Sequence, residues 1–254
     1  MIQFKDGQVV KSISFNTDRR FGDVGQFAQV YRSRGIDELI LIDVAEHHSA
    51  NLVDFSLITR VAKMARIPMT YGGGISDVSV AGRVLQSGIE RIVVGGLAYE
   101  DPGKTKRLVR RFGRSAAVGA VDYFRNKEGH TVVKTHGGQI DTGLTVEQAI
   151  SFLAEEIQVG EILLTSIDED GARQGYDNFE FLSNLTSLEV PIVVNGGCWT
   201  YEQMRDAFSY DMVWGCAAAS MFMFSNRTPL GAARFLSENS VNVRIPERLG
   251  DQIE

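Results

Sequence analysis

Cysteine is scarce in this chain: two in 254 residues, Cys198 and Cys216. That excludes a disulfide-stapled secreted scaffold and fits reduced, cytoplasmic thiols. Histidine is nearly as scarce, with four, and no His/Cys spacing suits a zinc site, so neither metal nor cofactor is expected. Basic residues do not outnumber acidic ones. The net charge of −6 provides no attractive field for nucleic acid or an anionic membrane. No apolar run approaches the roughly 20 residues that cross a bilayer. The opening Met1-Ile2-Gln3-Phe4-Lys5-Asp6 does not read as a signal peptide. Any phosphate must therefore be held by local backbone dipoles rather than by overall charge.

Glycine, in contrast, is plentiful and patterned, with 26 residues. Gly72-Gly73-Gly74 follows the apolar run Ile67-Pro68-Met69-Thr70-Tyr71, and Gly196-Gly197 follows Pro191-Ile192-Val193-Val194-Asn195. About twenty residues beyond each turn comes a second apolar run ending in small residues, at Gly95-Gly96 and at Ala217-Ala218-Ala219-Ser220. Gly73 precedes Gly196, and Gly95 precedes Ala218, by the same 123 residues. Such self-similarity predicts an α/β (β/α)8 barrel, or TIM barrel, made of two half-barrel repeats, about 1–115 and 116–240, within one domain spanning 1–254. A doubly wound open sheet is the alternative, but it needs no repeat of this length.

Strand and helix patterns alternate throughout. Apolar runs at 2–5, 38–44, 116–122 and 161–165 read as strands beside those already named. Helical periodicity covers 24–33, 55–64, 78–86, 102–112, 146–155, 201–208 and 229–237. Strands that are apolar throughout argue for parallel pairing with both faces covered. The count gives eight β/α units. An insertion at 126–143, containing Thr131-Val132-Val133-Lys134-Thr135, predicts a small hairpin over the barrel mouth.

In this fold, functional residues gather at the carboxyl ends of strands. The candidates there are Gln3, Lys11, Asp43, Gly74, Gly95-Gly96, Asp122, Thr165, Asp168, Asp170-Gly171, Asn195-Gly196-Gly197 and Ala219-Ser220. The glycines let backbone N–H groups approach an anion, and a short helix starting near Ser220 would support that; serving tight turns is the alternative. Lys11 could reach a phosphate as a mobile charge, or be a solvated loop lysine. Asp122, at the mouth, suits a general acid or base, with an N-cap or a loop salt bridge as the plainer roles. Asp43 occupies a similar strand end and could instead bond neighbouring loops. His47-His48 reads as a surface loop, and His136 belongs to the insertion over the mouth. At the opposite rim Glu38, Arg91 and Glu161 each open an apolar run. They could solvate that rim or ring an axial opening.

Asp37-Glu38-Leu39-Ile40-Leu41-Ile42-Asp43, Tyr71-Gly72-Gly73-Gly74-Ile75, Thr135-His136-Gly137-Gly138 and the stretch GEILLTSIDEDG at 160–171 together resemble the cyclase subunits of imidazole glycerol phosphate synthases, over nearly the whole chain. The resemblance implies a heterodimer with a glutaminase, a glutamine amidotransferase whose ammonia enters at the amino-terminal face. It implies an ammonia gate at Glu38, Arg91 and Glu161, with arginine where lysine is usual and the fourth gate position falling before Met1. It assigns Glu90 to partner docking. Of the family's two catalytic aspartates, Asp122 matches the second, and Gln3 stands where the first belongs. Gly95-Gly96 replaces a usual Asn-Thr pair, whereas the cradle of Asp170-Gly171, Gly197 and Ala219-Ser220 is intact. These departures make the chain similar to a divergent branch associated with glycosyl amidation in surface-polysaccharide biosynthesis. That branch implies a phosphorylated or nucleotide-linked sugar as substrate. The alternatives are the histidine-pathway lyase-cyclase, making imidazole glycerol phosphate and an aminoimidazole carboxamide ribotide, and a non-catalytic phosphosugar-binding activator of a glutaminase.

Overall fold

The computed structural model describes residues 1–15, 19–45, 53–185 and 187–245. Eight strands form the barrel: β1 (Ile2–Lys5), β2 (Leu39–Asp43), β3 (Met69–Gly72), β4 (Arg91–Val94), β5 (Ala117–Arg125), β6 (Glu161–Ser166), β7 (Ile192–Asn195) and β8 (Val213–Cys216). They lie side by side in chain order, and every ladder between neighbours in that order is parallel. Ile40, Val93, Val118, Leu163 and Val193 fill the bore. The alternating residues, such as Leu41, Ile92, Val121, Ile162 and Ile192, pack outward in the main core that the helices cover. Both faces are dry, which is why these strands show no polar alternation.

The helices are Val24–Ser33, Phe55–Ala65, Val78–Gln86, Gly96–Glu100, Pro102–Phe112, Val146–Ser151, Tyr201–Ala207, Ser220–Phe224 and Pro229–Glu238. Side chains of Asp23, Asp54, Asp77, Asp101, Thr145, Thr200 and Thr228 accept from first-turn amides and set most of the starts. Two crossovers depart from expectation. The helix beginning at Val146 widens into a π-helical stretch at Phe152–Ile157. Between β6 and β7 the described residues form no α-helix, but a 3-10 segment at Glu180–Leu185. Aromatic packing of Phe179 and Phe181, with Tyr123 edge-on to Phe181 at 5.7 Å, covers the sheet there instead.

The seam also differs from a fully laddered barrel. No ladder joins β8 to β1 among the described residues. The outer edge of β1 is taken by an antiparallel strand, Gln8–Lys11, which pairs onward with Arg19–Asp23. The Met1 nitrogen donates to the Ala218 carbonyl (2.8 Å), and the Ser14 amide donates to the Asp170 carbonyl (2.9 Å), so the gap is bridged by single bonds. The inserted segment folds as expected: Thr131–Thr135 pairs back on the end of β5 and with Ile140–Asp141.

The two glycine turns have nearly the same backbone. Gly73 has φ +107° and Gly196 +106°. A Cβ would lie 2.3 Å from the Asp43 carbonyl oxygen in the first case and 2.7 Å from the Ser166 carbonyl oxygen in the second. Only glycine fits either place. Asp43 and Ser166, like Gly73 and Gly196, are 123 positions apart, as are the caps Asp77 and Thr200 of the helices that follow.

Candidate functional site

At the carboxyl ends of β6, β7 and β8 a small recess is lined by Lys11, Asp170, Gly171, Arg173, Asn195, Gly196, Gly197, Cys198 and the run from Ala217 to Ser220. The loop after β6 and the turn after β7 touch along their backbones. The Gly175 amide donates to Gly197 O at 3.0 Å, and a Cβ on Gly197 would lie 1.9 Å from Gly175 O. The structure thus brings together the sequence candidates Asp170, Gly171, Gly196, Gly197, Ala219 and Ser220. Lys11 joins them, but pinned rather than mobile: its Nζ is 3.2 Å from Asp170 Oδ1. Asp170 is 3% exposed and Asn195 2%, yet Asp170 Oδ2 and Asn195 Nδ2 have no hydrogen-bond partner. Buried polar atoms are rarely left so, because each forgoes its hydration without return. Here both belong to the lining of a recess.

The turn after β3 is similar to that after β7, with Gly74 at φ +66° and Gly197 at +81°. The turn after β4 differs, because Gly96 lies under the inserted hairpin. A Cβ there would be 3.0 Å from His136 Cε1 and 3.3 Å from Glu100 Oε1. His136 Nε2 pairs with Glu100 at 3.2 Å, and its Nδ1 meets Thr135 Oγ1 at 3.1 Å. A carboxylate therefore sits beside Gly95-Gly96, whereas Ala219-Ser220 line the recess.

Asp122 lies between the two. It is in register with Thr165, whose side chain bonds its carboxyl, and it shares the inward parity of Val118 and Ala120. The carboxyl is set deep in the mouth, though still reached by solvent. Its pKa is pushed up to about 7, first by loss of hydration and then by the neighbouring Asp170 charge, with the Thr165 bond acting the other way. Gln3 also has inward register, opposite Ile42, and is buried, with its Oε1 accepting from Ser12 Oγ at 3.3 Å. Asp43 does not share that side. Its register, opposite Phe4, turns it outward, where it accepts from the Ala45 amide (3.0 Å) and the Tyr71 hydroxyl (3.5 Å). The expectation of a place equivalent to Asp122 is corrected by this parity.

At the amino-terminal base, Arg91 Nη1 is 2.7 Å from Glu161, and Nη2 is 2.7 and 2.8 Å from the two Glu38 oxygens. β4 is not a sheet neighbour of β2 or β6, so these side chains reach across the base. Burial raises the Glu161 pKa, and Arg91 opposes the rise. Glu90, next door, is exposed. Trp214, the extra residue in a β8 bulge opposite Ile192/Val193, is 75% exposed.

Other candidates lead nowhere chemical. Burial pushes the Cys198 thiol up to about 11, and Cys216 higher still, so neither is a thiolate near neutral pH. Among the described residues no three His, Cys, Asp or Glu side chains could hold a metal ion, and none of the described helices is long and apolar enough to cross a membrane. His47 and His48 lie outside the described residues. A wider groove beside Arg32, Arg60, Lys63 and Arg66 runs over the outer helices, away from the strand ends.

Residues 1–228 match a family model described as histidine biosynthesis protein. The chain belongs to this family. Within the histidine biosynthesis family it is similar to imidazole glycerol phosphate synthase subunit HisF of Chloroherpeton thalassium, at 34% identity over 96% of both chains. The subunit HisF proteins of Natranaerobius thermophilus and Chlorobium luteolum are 33% and 31% identical, each over 96% of both chains. The (β/α)8 barrel is this family's fold. Arg173 and Trp199, beside the recess, were not among the sequence candidates, because an arginine two residues past a glycine and an aromatic before a cap carry no local signal.

Proposed function

We propose that this barrel is an ammonia-using, cyclase-type synthase subunit that works with a glutaminase partner on a phosphorylated or nucleotide-linked sugar. The observation that carries the reading is Asp122: an inward carboxyl at the mouth, with its pKa brought to about 7. Such a group can both hold and release a proton near neutral pH. It can take the proton that an attacking ammonia nitrogen must lose, then deliver one to a leaving oxygen. Gln3 supplies no second proton carrier, because an amide does not exchange protons as a carboxylate does. Gln3 holds shape instead, through Ser12.

The recess after β7 and β8 is the place for the anionic end of the substrate, with backbone N–H groups at Gly171, Gly197 and Ser220 and the Asn195 amide as donors. Ammonia enters at the base. The Glu38–Arg91–Glu161 bridge closes that route until a partner draws Arg91 aside, and the exposed acids Glu38 and Glu90 favour a basic partner face there. The departures at Gln3 and Gly95-Gly96 support a role in glycosyl amidation for surface polysaccharide. The test is ammonia-dependent turnover by the complex with Asp122→Asn. Unchanged turnover removes the mechanism.

End-to-end similarity to subunit HisF proteins favours a second reading, the histidine-pathway lyase-cyclase. Growth of a histidine auxotroph lacking that subunit, restored by this chain, would establish it and displace the first.

A further inference from the structure

Two guanidinium groups converge beside the recess, and neither makes an ion pair among the described residues. Arg173 Cζ lies 4.6 Å from the centre of the Trp199 ring and 5.1 Å from that of Phe224. Arg227 Cζ lies 5.9 Å from the Trp199 ring. Cation–π contact holds such groups in place without neutralising them. The supports are specific. The Trp199 amide donates to Gln203 Oε1 (2.8 Å), and Gln203 with Thr200 closes a capping box. The Arg34 guanidinium donates to the carbonyls of Phe222 and Arg227, fixing the segment that carries Arg227. Arg173 itself has φ +64°, a conformation that β-carbon residues rarely adopt and that tends to persist where function requires it.

Charge within the recess is already balanced, because Lys11 is tied to Asp170. Further positive charge lies at and beyond the rim, where Glu202, on the surface, acts on Arg227 without forming an ion pair with it. Arg173 belongs to the lining, whereas Arg227 and Trp199 stand outside it next to Cys198. Asn195 Nδ2, in the lining of the recess, has no hydrogen-bond partner and is a donor for one phosphoryl group there. Like charges gathered at one indole call for a second anion there. We infer that the site takes a diphosphate, one phosphoryl group seated in the recess by backbone amides and Asn195 and the other held at its rim by Arg173 and Arg227 over Trp199. This rests on the proposal that the recess binds the substrate's anionic end, and it selects the nucleotide-linked class over a sugar monophosphate.

The test is calorimetric titration of the full chain with inorganic phosphate and with inorganic pyrophosphate, in magnesium-free buffer at low ionic strength. Trp199 emission, read in a Trp214→Phe background, reports where the ligand sits. Pyrophosphate should bind at least tenfold tighter than phosphate and perturb Trp199. Arg227→Ala, outside the recess, should remove most of that preference while leaving phosphate affinity within about twofold, whereas Arg173→Ala, in the lining, should weaken both anions and pyrophosphate the more. Equal affinity for the two anions, or a preference that survives both substitutions, overturns the inference and leaves the recess reading intact. Binding of neither anion overturns both. Circular dichroism of each variant separates lost binding from lost folding, and Arg173→Lys, which keeps charge but not the planar fork, should retain an intermediate preference.

Discussion

Replacing Asp122 by Asn should stabilise the protein at alkaline pH while slowing the proposed reaction. The folded-state pKa of about 7 compares with 3.8 for a free aspartate. The folded protein thus keeps a proton that the unfolded chain gives up at lower pH. As pH rises through that interval the unfolded state ionises first, so stability falls between about pH 4 and pH 7 and is flat above. About three units at 1.36 kcal/mol each set an upper limit near 4 kcal/mol, and solvent reaching the mouth lowers this to about 2–4 kcal/mol. Asparagine keeps the shape and a Thr165 acceptor but never ionises. Urea unfolding at pH 4.5 and pH 8.5 should therefore show the variant similar to the parent at the lower pH and more stable by that margin at the higher. Ammonia-dependent turnover should drop by roughly 10²–10⁴. A stability gap that does not change with pH would refute the reasoning, because it would mean that the carboxyl titrates alike in both states.

Arg91→Met should leave Glu161 and Glu38 facing each other without a cation. The Glu161 pKa, already raised, should rise further, so the loss, about 1–3 kcal/mol at pH 8, should shrink at pH 4 in paired urea curves. In the same variant glutamine-driven turnover should change more than turnover driven by added ammonium. Gly197→Ala should cost about 3 kcal/mol or more, since φ is +81° and the new carbon would meet Gly175 O at 1.9 Å. Gly137→Ala, with φ +63° and nothing within 4 Å, should cost only about 1 kcal/mol, and the difference in thermal midpoints isolates the clash. Gln3→Asp buries a carboxylate beside Ser12 and should lower stability by about 1–3 kcal/mol between pH 5 and pH 8.

The barrel was readable because its strands are dry on both faces and its glycine turns recur at one spacing. Parity was not. Asp43 and Asp122 both end apolar runs, and only the registers opposite Phe4 and Thr165 set them on different sides. The strand Gln8–Lys11 was missed since its two apolar residues, Val9 and Val10, are too short a run to stand out after Asp6-Gly7, and its partner Arg19–Asp23 is mostly exposed. The count of eight β/α units named no helix between β6 and β7, where Phe181 and Leu182 pack from a 3-10 segment with Phe179 just before it; their spacing marks burial but not helix type. Lys11 looked free because the carboxylate that holds it is 159 residues away. The glycines and small residues of the recess were legible as a set, whereas Arg173 and Arg227 acquire meaning only when three separate loops meet at Trp199.

The unlaced side of the barrel has a mechanical consequence. A tube slit along its length yields to torsion far more readily than an intact one, and here the slit runs beside the strand that leads into Ala219-Ser220. Deuterium should therefore reach amides on the β8 flank well before those of β5 and β6, which have ladder partners on both sides. Loosening that begins along this slit would reshape the anion-holding end of the molecule while the opposite wall stays rigid.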